Sequence, residues 1–127
     1  MTMSSDLVAW LRAQLDVTES ETRKLLRDAQ DVSLRLKDPT YLGRHVPGWY
    51  LFPDIERILA RTLADLDAQR RVLDVYEEAS STYDARYRLG LGTAGDHART
   101  QALAMAIRML ASVYADQPGY RDEWRPR

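Results

Sequence analysis

The sequence predicts an all-α fold: an antiparallel helical hairpin of two long helices with a shorter third helix against it, a three-helix bundle of coiled-coil character. Three observations lead there. No Gly or Pro lies between Ser4 and Asp38 or between Asp54 and Leu89, and these two residues break helices most reliably. Apolar residues recur at alternating spacings of four and three through both stretches, which lines them up on one helical face. Turn-forming clusters at Asp38-Pro39 and at Gly90 to Gly95 divide the chain where a bundle needs its connections.

In the first helix the seam is Leu7, Leu11, Leu15, Thr18, Thr22, Leu25, Ala29, Val32 and Leu36, with Ser5 or Asp6 placed to cap its start. Thr18 with Glu21 also fits a capping box, so a break near Val17 competes with one continuous helix. Asp38-Pro39 ends the element, because the residue before a proline is pushed out of the helical region. In the second helix Pro53 suits the first turn, and Asp54 and Glu56 meet the positive end of the helix dipole. Its seam is Ile55, Leu59, Thr62, Leu66, Gln69, Leu73, Tyr76, Ser80, Tyr83 and Tyr87. Acid-before-base pairs four residues apart, Glu19/Arg23, Asp31/Arg35, Asp67/Arg71 and Asp84/Arg88, support the two helices along solvated faces.

Gly90 to Gly95 forms the next turn, and Thr93 with Asp96 caps a third helix whose core face is Ala102, Leu103, Ala106, Ile107, Leu110 and Val113 or Tyr114. Pro118-Gly119 stops it. A chain of 127 residues has room for one core. The expected layout is a single helical domain, 1–127, with helices about 5–37, 53–89 and 94–115, an aromatic loop 38–52 and a tail 116–127. The third helix is the shorter, so it covers the hairpin only beside Val72 to Leu89 and Leu7 to Ser20. The other end, Glu21 to Lys37 with Pro53 to Arg71, is left to be covered by the aromatic loop and by the tail.

Composition narrows the function. Hydrophobic residues are 45% and charged residues 29% of the chain, with 18 basic against 19 acidic, which is the balance of a folded globular protein. The signs are interleaved, and no segment carries the basic excess that phosphate binding leaves. There is no cysteine, which removes disulfides, thiolate metal sites and a cysteine nucleophile. Neither a signal peptide nor a membrane span is read, and the expected location is cytoplasmic.

Motifs for catalysis are missing or out of context. Gly90-Leu91-Gly92-Thr93-Ala94-Gly95 has the letters of a dinucleotide fingerprint, but it follows a helix where the fingerprint needs a strand inside a βαβ unit. His45 and His97 have no helical carboxylate or histidine neighbour at metal-ligand spacing, and Glu77 and Glu78 point to different helix faces. No catalytic, cofactor-binding or metal-binding residue is nominated, and no cofactor. Trp, Tyr and Arg dominate binding hot spots, so the residues singled out for a protein partner are Trp49 and Tyr50 in the loop and Tyr120, Arg121, Trp124 and Arg125 in the tail. The competing reading of the same aromatics is closure of the core.

Leu7-Val8-Ala9-Trp10-Leu11-Arg12-Ala13-Gln14-Leu15-Asp16 near the start and Tyr114-Ala115-Asp116-Gln117-Pro118-Gly119-Tyr120-Arg121-Asp122-Glu123-Trp124-Arg125-Pro126 near the end resemble a family of small uncharacterised proteins of actinobacteria and their phages. The stretch Ile55 to Leu73 is similar to that family's central helix. The resemblance implies a phage or mobile-element origin and no activity. Relatives carry cysteines after the central helix, where this chain has Gly90 to Gly95, so a metal role does not carry over.

The expectation is therefore an uncharacterised helical protein acting through protein–protein interaction, with an unidentified protein partner and, as a related expectation, pairing with a second copy through the helical seams. A nucleic-acid-associated regulator is the alternative; it needs Arg57, Arg61, Arg70 and Arg71 in one stripe, although Asp65, Asp67 and Asp74 are scattered among them. A small-molecule enzyme working at His45 is the weakest of the three.

Overall fold

A computed structural model of the chain describes residues 3–36 and 54–127. Among these residues the protein is helical, with no strand. Helix α1 is Met3–Leu36, α2 is Ile55–Arg88, α3 is Ala94–Ser112, and a single 3-10 turn occupies Asp122–Trp124. The all-α class read from the spacing is the class observed. Helix α1 runs through Val17 and Thr18 without a break, so the capping box read at Thr18 is not used. It begins at Met3, and Asp6 therefore lies in the first turn of the helix.

Contacts divide the chain into two compact units, Met1–Leu15 with Ala68–Arg127, and Asp16–Asp67. In the second of these the buried positions are Thr22, Ala29, Leu59 and Leu66, all on the seams read from the sequence. Thr22 is tolerated there because its hydroxyl donates to the Thr18 carbonyl at 2.7 Å, which satisfies a polar group that burial would otherwise penalise. Thr62 uses the same device toward Ile58 at 3.0 Å. Leu25, expected on the seam, is exposed, and Leu26 is the more covered of the two. Ion pairs Arg23–Glu19 and Arg35–Asp31, at 3.1 Å each, follow the four-residue rule.

The unit built from Met1–Leu15 and Ala68–Arg127 holds most of the core: Leu7, Val8, Leu11, Leu15, Leu73, Tyr76, Ile107, Ala111 and Trp124 are buried. Arg12 clamps α1 to α2. Its Nε and one terminal nitrogen both donate to Glu77 Oε1, at 3.0 and 2.6 Å, and that terminal nitrogen also donates to Asp74 Oδ1 at 2.8 Å. The hydrogen bond to Glu77, then that to Asp74, raises the already high Arg12 pKa, so the guanidinium of the clamp stays charged.

The α2–α3 turn is set by local chemistry. Leu91 N–H donates to the Arg86 carbonyl at 2.8 Å and Gly90 N–H to the Tyr87 carbonyl at 3.0 Å, the two bonds of a Schellman motif, with Gly90 at φ +72° in the left-handed position that motif requires. Thr93 and Asp96 then exchange both bonds of a capping box, at 3.0 and 3.2 Å. Arg86 reaches across the turn to Asp96 at 3.2 Å. The segment thus works as a helix stop at Gly90 and a cap at Thr93, between two helices and with no strand before it.

The buried face of α3 is Ile107 and Ala111, flanked by partly covered Leu103, Ala104, Leu110 and Tyr114. Of the alternatives at its end, Tyr114 turns inward, while Val113 is 75% exposed. Ala102, read as core, is also exposed. The face is therefore rotated from the one read in the sequence, because an alanine-rich helix offers several apolar faces and packing selects only one.

Candidate partner interface

Where α3 ends, a series of tight turns, with Gln117 N–H donating to the Tyr114 carbonyl at 2.9 Å, brings Pro118-Gly119 onto Trp10 of α1. The indole Nε1 of Trp10 donates to the Pro118 carbonyl at 3.0 Å. Gly119 has φ +89°, and a Cβ there would meet Trp10 Nε1 at 2.7 Å, so both its backbone angle and its lack of a side chain are required. Beyond it Tyr120 and Trp124 close on the same ring. Trp10 and Tyr120 meet edge-on at 5.6 Å, Trp10 and Trp124 at 5.4 Å, and Tyr120 and Trp124 edge-on at 5.8 Å. Such geometries suit the ring quadrupoles.

This placement corrects one expectation. The sequence reading places the tail at the end of the hairpin near Glu21 to Lys37; in the structure it packs on the first turns of α1, because the turn at Pro118-Gly119 meets Trp10. Trp124 is 1% exposed and is a core side chain. Its Nε1 and the Tyr120 hydroxyl are buried without a hydrogen-bond partner, a cost that packing of the rings has to offset. Arg121 lies on the outside of the cluster with its guanidinium 5.2 Å from the Trp124 ring centroid, within reach of Asp6 at 3.3 Å and Glu123 at 3.6 Å. Arg125 is exposed and meets Asp122 at 3.3 Å. Of the residues singled out for a partner, Tyr120, Arg121 and Trp124 are thus brought together. Trp49 and Tyr50, with His45, lie outside the described residues.

A second surface was not read from the sequence. Met105, Met109 and Val113 are 37%, 58% and 75% exposed on the side of α3 away from Ile107 and Ala111. Exposed Ala98 and Ala102 extend that line toward the start of the helix. A helix that is apolar all round is normally covered all round. The signal was present, since from Thr100 to Ala115 the only charged residue is Arg108.

Polar chemistry is sparse by comparison. A shallow cleft of about 180 Å³ lies between Glu78, Thr82 and Tyr83 of α2 and Asp96, Arg99 and Thr100 of α3. His97 is exposed, and its ring packs 5.6 Å from that of Tyr83. No nucleophile and base face each other across the cleft, and Asp96 is occupied by Thr93 and Arg86. Glu77 is held by Arg12 while Glu78 lines the cleft, so the two carboxylates are separated as their spacing implied. Among the described residues no group of three or more histidines and carboxylates is placed to hold a metal, and no helix is long and apolar enough to cross a membrane. Arg57 pairs with Asp54 at 3.0 Å, and neither Arg70 nor Arg71 is without a partner.

No curated protein and no solved structure matches the chain. A family model described as "Family of unknown function (DUF6221)" matches residues 4–126, and the chain belongs to that family.

Proposed function

We propose that this protein acts by protein–protein interaction and that the outward face of α3 is its principal contact surface. The observation that carries the reading is the exposed line of Met105, Met109 and Val113 on a helix whose opposite side is already buried. Contiguous exposed apolar surface on a small protein marks contact sites, and methionine adapts its shape to a partner. The aromatic cluster gives α3 a fixed mount, since Trp10, Tyr120 and Trp124 hold the chain that leaves it, and Arg121 and Arg125 present a polar rim beside that mount. A cytoplasmic setting fits the lack of cysteine, and the resemblance of the two chain ends to proteins of actinobacteria and their phages supports a phage or mobile-element origin.

Photo-crosslinking inside the expressing cell tests this reading. A crosslinking amino acid at position 105 or 109 is expected to give covalent adducts, and the same group at solvent-facing Asp84 none. Equal or absent adducts at all three positions would sink the assignment of this face.

A further inference from the structure

Size, charge and area along α3 indicate which partner fits the face. The exposed line runs Ala98, Ala102, Met105, Met109, Val113, at spacings of four, three, four and four, within an arc of about 80° on an α-helix. It is small at its start and large at its end. We infer that this face docks a second copy of the chain, with the two α3 helices antiparallel about a two-fold axis near Met105. The inference rests on the interaction reading above and names the partner.

An antiparallel two-fold places Ala102 of each copy against Met109 of the other and Ala98 against Val113, so every large side chain meets a small one. Parallel pairing would set methionine on methionine and leave gaps between the alanines, which close packing penalises. A two-fold contact is also the commonest way for identical chains to associate.

Charge agrees with the same direction. Arg99, near the start of the helix, and Asp116, just past its end, are both exposed. Asp116 has only a 3.5 Å contact from the Gln117 amide. In the antiparallel register Arg99 of each copy lies opposite Ser112 of the other, with Asp116 four residues beyond it, and this happens twice over. Near the centre Arg108 falls close to Gln101 of the second copy.

The area sets the strength. Ala98 to Val113 spans about 22 Å, and two helices in contact over that length cover roughly 400 Å² on each copy, about half of the ~800 Å² per partner of a standard interface. The α2–α3 turn lies at the end of α3 that receives the large residues of the second copy. Tyr87 at the end of α2 and Leu89 and Leu91 in that turn are 69%, 74% and 60% exposed. The expected dimer is weak and reversible.

Sedimentation velocity of the purified full chain, from about 1 to 500 μM, is expected to show a concentration-dependent shift from one chain mass to two. Met109→Glu should weaken association at least tenfold with helical circular dichroism unchanged. Because the chain has no cysteine, single-cysteine variants report geometry even if Met109→Glu fails to fold. Met105→Cys should crosslink with itself, and Ala98→Cys should crosslink with Val113→Cys but not with itself. A monomer at every concentration, or self-crosslinking of Ala98→Cys without the mixed product, would overturn the inference. Adducts at position 109 to a different protein, together with a monomer, would remove the dimer and leave the interaction reading intact.

Discussion

The Trp10 indole donates to the Pro118 carbonyl across 108 residues of sequence, and this one bond fixes where the chain after α3 goes. The ring that makes it also forms the wall against which Gly119 sits.

Gly119→Ala should therefore be costly in two ways, since the left-handed backbone angle disfavours a side chain by about 1 kcal/mol and the added methyl group forces the indole to move, for a further 1 to 3 kcal/mol or so. Gly90→Ala has the same backbone penalty with open space around it and should lose only about 1 kcal/mol. Urea unfolding of both variants gives the comparison; equal losses would show that the contact with Trp10 is soft.

Trp124→Ala removes a fully buried ring and should destabilise by about 3 to 5 kcal/mol. Trp124→Phe should cost far less, because it also removes an indole N–H that is buried without an acceptor and whose burial is penalised by about 1 to 3 kcal/mol. Thermal unfolding decides between them, and a Phe variant as unstable as the Ala variant would show that the N–H is paired in solution.

The clamp at Arg12 is half-exposed and its carboxylates more so, so screening reduces its worth. Arg12→Met should lose about 1 kcal/mol at low salt and less at 1 M. A double-mutant cycle with Glu77→Gln should give a coupling energy that falls with salt, and a coupling independent of salt would contradict the ion-pair account.

Thr93→Ala deletes the capping side chain of α3 and should cost about 1 kcal/mol. Thr93→Ser should restore most of it. Amide exchange in the first turn of α3 would locate the effect, and unchanged protection there would show that the Arg86–Asp96 bridge holds the turn alone.

What could be read in advance was local and periodic. Leu11, Leu15, Thr22, Ala29, Leu59, Leu66, Leu73 and Tyr76 were named from spacing and are buried, because a helical repeat needs no knowledge of the partner. The capping box at Thr93 and the stop at Gly90 were likewise legible, each being a matter of three or four adjacent residues. The face of α3 was legible in part: Ile107 is buried and Leu103, Ala106, Leu110 and Tyr114 are partly covered as read, whereas Ala102 is exposed and Ala111 is buried instead, since alanines are interchangeable by composition and only packing separates them. The seat of Trp124 on Trp10 depends on a contact between distant segments, for which one chain contains no periodic signal. The tail was therefore recognised as aromatic and assigned to the wrong end.

The same long-range closure orders the events of folding. Asp16–Asp67 is contiguous in sequence, whereas the other unit joins Met1–Leu15 to Ala68–Arg127. Closing so large a loop is slow, and contacts between distant segments form late. During synthesis Leu7, Val8, Leu11 and Leu15 are made first and wait for Leu73, Ile107 and Trp124. Until the last of these is added, the apolar side of the early segment has no partner to cover it, and the growing chain is most open to aggregation.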